Sequence, residues 1–141
     1  MMILDTNVLS ELMRQKPSPQ VVTWIAKQRA AELFTTAITE AEIFYGIKLL
    51  PKSKRREALL AAAEAMFAED LADRILGFES DAARAFSRIA SHHRGLGRPI
   101  NHADAQIAAI AQVRGAKLAT RDIENFEGCD LDVVDPWSSR P

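Results

Sequence analysis

Short apolar runs that pass straight into helical patterns constrain this chain more than any other feature. Met1–Leu4 runs into Asp5-Thr6-Asn7, and from about Asn7 to Met13 the residues Val8, Leu9 and Leu12 take up a helical rhythm. Leu33–Thr36 precedes a helix with Ile43, Ile47 and Leu50 on one face. Arg74–Phe78 precedes a helical stretch over Asp81–His93, and Ala116–Ala119 precedes a turn and short helix over Thr120–Phe126. Strands that alternate with helices are joined by right-handed crossovers, so they lie parallel. Helices then cover both faces of the sheet. The expected fold is α/β, a three-layer α/β/α sandwich with a mainly parallel sheet, formed by a single domain over residues 1–141.

Local punctuation fixes the remaining elements. Ser18 with Pro19 reads as an N-cap and first helical position, and the helix they open carries Val21, Val22, Trp24 and Ile25 inward. Thr39-Glu-Ala-Glu42 reads as a capping box, with Pro51 stopping the helix it opens. A helix from about Lys54 to Glu69 buries Leu59, Ala63, Met66 and Phe67. The helix over Asp81–His93 turns Ala82, Phe86, Ile89 and Ala90 inward. Gly95–Pro99 breaks the chain. Asn101 caps a helix that buries Ile107, Ile110 and Ala111 and ends at Gly115. Leu131–Val134 is the last expected strand, ahead of a Pro136-Trp137 tail.

Composition narrows the function classes. The chain has 141 residues, 48% hydrophobic and 26% charged, with a formal net charge of −1. These values suit a soluble globular protein with a proper core. No apolar run is long enough to span a bilayer and no signal peptide is evident, so a cytoplasmic location with no membrane partner is expected. Cys129, the single cysteine, excludes an internal disulfide and cannot build a zinc site alone. Nucleic-acid binders often carry a strongly basic balance, which is lacking here. The one dense basic run, Lys48–Arg56, reads as a solvated loop entering a helix, although cations sit poorly at a helix N-terminus.

Against this plan four carboxylates stand at matched places. Asp5 follows the first strand. Glu42 lies in the first turn of the helix after the second strand. Asp104 lies in the first turn of the helix capped by Asn101, and Asp122 follows the strand ending at Ala119. Each could simply serve as a helix cap, but such caps are worth only ~1 kcal/mol and Ser, Asn or Thr would serve without charge. The carboxyl ends of parallel strands share one edge, where ligands bind. Carboxylates gathered there repel one another unless a cation joins them, and oxygen-only ligands select a hard ion such as Mg²⁺ or Mn²⁺. A hard ion in an acid pocket suits phosphoryl chemistry. The histidines do not indicate zinc: His92 and His93 are adjacent on a helix and diverge, and His102 stands alone.

Four segments, in this order and spacing, resemble the PIN-domain ribonucleases of the VapC type, found as toxins in toxin–antitoxin pairs. They are Leu4-Asp-Thr-Asn-Val-Leu-Ser-Glu11, Ala37-Ile-Thr-Glu-Ala-Glu-Ile-Phe-Tyr-Gly46, Ala103-Asp-Ala-Gln-Ile-Ala-Ala109 and Ala119-Thr-Arg-Asp-Ile-Glu-Asn-Phe126. Asp135-Pro136-Trp137 is similar to the FitB-like branch. The resemblance implies a PIN-like fold and a Mg²⁺- or Mn²⁺-dependent endoribonuclease. It implies that Asp5, Glu42 and Asp104 are the core metal-binding and catalytic acids, with Asp122 as a fourth. It also implies that Thr6, Asn7 and Thr120 support the acids or a water. Glu40 is a rival to Glu42, but the two point about 200° apart on one helix and cannot share a pocket. Implied partners are the RNA substrate, a cognate antitoxin and a second copy of the chain, with a larger assembly on the antitoxin. The groove implied for the antitoxin lies near the Val8–Met13 and Ile43–Leu50 helices.

The expected chemistry is attack by activated water, leaving 5′-phosphate and 3′-hydroxyl ends. Two other classes compete. A phospho-accepting receiver domain needs an acid pair after the first strand and an acceptor aspartate after the third. Here Asp5 stands alone and the third strand ends in Gly77-Phe78. A related phosphatase wants an aspartate where Asn7 stands. An inactive PIN-like module that only binds RNA or protein would not need the intact set of acids.

Overall fold

A computed structural model describes residues 1–138, so the last three residues of the expected domain, 139–141, lie outside the described residues. Five strands hydrogen-bond in one sheet: β1 (Met2–Leu4), β2 (Leu33–Thr36), β3 (Ile75–Leu76), β4 (Lys117–Ala119) and β5 (Val133–Val134). Their order is β3-β2-β1-β4-β5, and every pairing is parallel. The chain therefore builds outward from β1 in one direction with β2 and β3, and in the other with β4 and β5. The reversal falls between β1 and β4, where an open parallel sheet leaves a crevice at its carboxyl edge.

Register decides what meets in that crevice. Leu4 of β1 pairs with Ala119 of β4, so the next residues, Asp5 and Thr120, emerge side by side. The Asp5 amide continues the ladder by donating to the Ala119 carbonyl at 2.9 Å.

The period of two along a strand splits the core into two layers. Ile3 and Leu118 face one side, where they join Ala82, Ala85 and Ile89 of α5 (Ser80–Gly95) and Ile107 and Ile110 of α6 (His102–Arg114). Leu4 and Ala119 face the other side, against α1 (Thr6–Leu12), α2 (Pro19–Ala26), α3 (Ala37–Lys48) and α4 (Lys54–Ala65). Val8, Leu9, Val21, Ile43 and Ala63 fill that second layer. Each fully buried aliphatic side chain contributes about 1.5–3 kcal/mol. The helices thus lie on both faces, as the alternation of elements requires. Among the described residues no helix is long and apolar enough to cross a membrane.

Several local expectations need correction. The helix α3 starts at Ala37, not at Thr39: Thr36 is its cap, and the Thr36 hydroxyl accepts from the Thr39 amide at 3.1 Å. The capping box over Thr39–Glu42 does not form, because Thr36 offers the same hydroxyl three residues earlier, directly at the end of β2. Ser18 does stand at the cap of α2, but its side chain makes no cap bond; the buried Glu11 carboxylate takes the Ser18 amide at 2.9 Å instead. Val22 is 41% exposed on the outer face of α2. The Lys54–Glu69 helix is regular only to Ala65 and continues as a π-helical turn, Met66–Asp70, which lets Met66 and Phe67 both enter the core. The third and fifth strands shrink to two residues each at the sheet's edges. Gly115 ends α6 in the left-handed region at φ 60°, the conformation glycine adopts most readily.

Candidate active site

Asp5 anchors the site and serves two roles at once. It caps α1, with Oδ1 accepting from the Thr6 amide at 2.8 Å. Its other oxygen accepts from the buried Thr120 hydroxyl at 2.7 Å. The helix cap foreseen for this aspartate is thus real but uses half of the carboxylate. Asp5 is only 4% exposed. Burial pushes its carboxyl above the usual range. The bonds from Thr120 and Thr6 pull it back, and the charges of Glu42 and Asp122 push it up again.

Thr120 and Asn7 tie Asp122 into the same cluster. The Asn7 amide nitrogen lies 3.2 Å from the Thr120 hydroxyl and donates to Asp122 Oδ2 at 3.1 Å. The Asp122 amide donates to the Thr120 hydroxyl at 3.1 Å, and the Arg121 amide donates to Asn7 Oδ1 at 3.2 Å. These bonds fold the segment after β4 back over the start of α1. Asp122 makes no side-chain cap bond to the 3-10 turn Ile123–Phe126, so the cap reading fails for this residue.

Thr6 reaches in the opposite direction. Its hydroxyl donates to Glu42 Oε1 at 2.7 Å and lies 3.1 Å from the Thr39 hydroxyl. One hydroxyl carries one proton, so Thr39 donates to Thr6 while Thr6 donates to Glu42. Glu42 sits in the second turn of α3, not the first, because that helix starts two residues before Thr39. Thr39 is the supporting residue that sequence reasoning missed. The spacing of Thr36 and Thr39 could have revealed it, since a cap at Thr36 leaves Thr39 free to face the first helix. Glu40 makes no side-chain contact with this group among the described residues.

Asp104 completes the set from the far side. Asn101 caps α6 by accepting from the Asp104 amide at 2.8 Å, and returns a bond from its own amide nitrogen to Asp104 Oδ2 at 2.9 Å. Burial raises the Asp104 carboxyl to about 6. The Asp5 charge adds to that rise, the Asn101 bond lowers it, and Glu42 and Asp122 raise it further. Asp104 thus feels all three other acids. Burial is the main cause of the rise, with the neighbouring carboxylates adding to it.

The four acids stand near enough for their charges to act on one another, but they do not close on a point. Among the described residues, no three His, Cys, Asp or Glu side chains form a ready-made metal cage. Each carboxylate is held by a neutral donor of its own, namely Thr120, Thr6, Asn101 or Asn7. The all-oxygen donor set fits a hard divalent ion. Cys129 lies buried away from this chemistry; burial, helped by the Asp104 charge, pushes its thiol up to about 11.

Thr120→Val tests the network without changing side-chain shape. It removes the hydroxyl that donates to Asp5 and accepts from the Asp122 amide. A hydrogen bond to a charged group is worth about 1.5–3 kcal/mol. The expected loss is about 1–2 kcal/mol in urea denaturation, with any activity of the pocket falling about tenfold. A variant with parental values in both assays would show the network to be incidental.

The chain matches known proteins over nearly its whole length. Residues 2–128 match the PIN domain family. The chain is 39% identical over 137 residues to VapC ribonuclease Y4jK of Sinorhizobium fredii, covering 97% of this chain and 98% of that protein. It is 36% identical over 137 residues to Toxin FitB of Neisseria gonorrhoeae, covering 97% of this chain and 99% of that one. The crystal structure of FitAcB from Neisseria gonorrhoeae superposes with a TM-score of 0.91 at 35% identity, covering 99% of this chain and 100% of that chain. Five parallel strands in this order, acids at their carboxyl edge and similarity across nearly the whole chain lead to one assignment: the chain belongs to the PIN domain family.

Proposed function

We propose that this protein is a divalent-metal-dependent endoribonuclease and the toxin of a toxin–antitoxin pair, acting in the cytoplasm. The observation that carries the reading is the juxtaposition of Asp5, Glu42 and Asp122 at the carboxyl edge of the sheet, joined through Thr120, Thr6 and Asn7, with Asp104 close enough to feel their charge. Four acids that feel one another, with no Lys or Arg paired to any of them among the described residues, support a cation as the missing counter-charge. The VapC ribonucleases and the FitB toxin among the relatives support the same activity.

In this reading Asp5, Glu42 and Asp104 would hold Mg²⁺ or Mn²⁺, with Asp122 contributing directly or through water. A bound hard cation lowers the pKa of water and offsets charge at phosphorus. The chain's own part is positioning. Thr120 fixes the rotamer of Asp5, Thr6 fixes Glu42, Asn101 fixes Asp104, and Asn7 fixes Asp122. Water attacks phosphorus in line and the bond to the 3′ oxygen breaks. The RNA 2′-hydroxyl takes no part, so products carry 5′-phosphate and 3′-hydroxyl ends.

A groove of about 830 Å³ runs from Thr6 and Glu42 past Met13, Ile43 and Ile47 to Leu59 and Arg55. It lies where the resemblance puts the antitoxin, between α1, α3 and α4. Solved FitAB and VapBC complexes among the structural relatives support an antitoxin as the partner; this reading places it at the groove, bound to a homodimer of the chain. The basic run resolves into two parts: Ser53 caps α4 by accepting from the Arg56 amide at 3.1 Å, while Arg55 lines the groove.

The test is cleavage of total RNA by the purified chain with Mg²⁺ or Mn²⁺, with product ends mapped. New 5′-phosphate ends that disappear in EDTA are expected. Binding without cutting would instead support a PIN-like module with no nuclease activity, and 2′,3′-cyclic ends would overturn the mechanism.

A further inference from the structure

Beside Asp104 a cleft of about 580 Å³, which Glu42 does not line, opens between the loop after α5, the start of α6 and the turn after β4. Its polar lining comes from Arg98, Asn101, Asp104, Glu124, Asn125 and Glu127. The four-acid site uses only part of this. The Asn101 amide is fully engaged with Asp104. Glu124 and Asn125 make no side-chain hydrogen bond or ion pair among the described residues. Arg98 meets Glu127 only loosely, at 3.9 Å, with both side chains largely exposed. The wall itself is anchored: buried His93 sits with Nε2 2.9 Å from the Glu127 carbonyl and Nδ1 2.9 Å from the Ile89 carbonyl.

Charge decides what such a cleft accepts. Three carboxylates and one guanidinium line it, so a phosphate is repelled while a neutral group rich in donors is welcome. Single-stranded RNA presents its bases to proteins on their Watson–Crick and Hoogsteen edges. Guanine alone among the four offers two adjacent donors, N1–H and N2–H₂, which match the two oxygens of one carboxylate. Its O6 and N7 acceptors match an arginine. Adenine, cytosine and uracil each offer a single donor group on the pairing edge.

We propose that this cleft is a guanine subsite for the nucleotide beside the cleaved bond, with Glu124 reading N1 and N2, Arg98 facing O6 and N7, and Asn125 flanking the base. The proposal rests on the nuclease reading above for its place in the reaction, but its binding chemistry is separable from it. Fluorescence anisotropy tests it directly. The non-cutting Asp5→Asn chain, in Mg²⁺, is titrated with short single-stranded RNA carrying one guanosine among uridines, and with the same RNA carrying inosine, which lacks the N2 amine. The guanosine RNA is expected to bind about tenfold more tightly, and adding Glu124→Gln is expected to bring the two together. Equal binding of both RNAs to Asp5→Asn, or a preference that survives Glu124→Gln, would overturn the subsite. The parental chain is assayed for cleavage of the same RNAs. A guanosine preference without cleavage sinks the nuclease reading and keeps the subsite, whereas cleavage without the preference does the reverse.

Discussion

Asp104→Asn is expected to cut RNA at least about a thousandfold more slowly than the parental chain, the ~4 kcal/mol that a lost metal-holding carboxylate removes from transition-state stabilisation. The same variant is expected to unfold at a higher temperature in metal-free buffer near pH 8. The two effects share a cause. The Asp104 carboxyl, raised to about 6, is ionised near pH 8 beside Asp5, Glu42 and Asp122, with only the Asn101 amide to offset its charge. Asparagine keeps the shape and can still accept from the Asn101 amide nitrogen, but it sheds the charge. Ionising a carboxyl held that far above its ordinary value costs about 3 kcal/mol in full; solvent screening at this half-exposed group brings that to about 1 kcal/mol. The gain in melting temperature is then about 3 °C. A variant that lost activity and stability together would mean that Asp104 acts structurally.

The second large effect is the dependence of stability on pH and metal. Asp5 and Asp104 are both raised above their ordinary values, chiefly by burial. A raised acid holds its proton more tightly in the folded state than in the unfolded one. Stability therefore falls as pH rises from the ordinary carboxylate range through the raised value, and the deficit is complete above about 6 for Asp104. Without metal, the chain is expected to melt at a higher temperature near pH 5 than near pH 8. A bound divalent ion reverses the sign, because it binds the ionised carboxylates and competes with protons. At a hundred times its dissociation constant it adds about 2.7 kcal/mol, and this is expected near pH 8 and largely lost near pH 5. Thermal melts at both pH values, with EDTA and with Mn²⁺, check both signs. A metal-free melt that rises with pH would contradict the placement of these acids.

Most of the architecture was legible because it depends on period and order. Alternating strands and helices dictate parallel pairing, and the period of two sends Ile3 and Leu4 to opposite layers. That the four acids lie near one another was legible for the same reason: Asp5 and Asp122 follow strand ends and Asp104 stands in the first turn of its helix, while Glu42 lies one turn further in than its pattern suggests. What could not be read depended on competition between near neighbours. Thr36 and Thr39 both suit a helix cap, and only the end of β2 decides that Thr36 takes the role. That moves Glu42 from the first turn to the second and changes its partner from its own helix to Thr6. Ser18 makes no side-chain cap bond, and its own amide is held by Glu11, a carboxylate seven residues away that no local pattern links to it. The joint between Leu4 and Ala119 is a matter of register over more than a hundred residues of chain. The pairing of Asp5 with Thr120 therefore could not be read from local patterns.

The most direct measurement is a calorimetric titration of Mn²⁺ into the parental chain and into Asp5→Asn, Asp104→Asn and Glu40→Gln. Loss of a supporting partner alone typically costs roughly ten- to a hundredfold in metal affinity, and loss of a ligand costs at least as much. Binding to the parental chain is expected, weakened at least about tenfold in each aspartate variant and unchanged in Glu40→Gln. Parental affinity in both Asp5→Asn and Asp104→Asn would show that the acids at this sheet edge do not hold a shared ion.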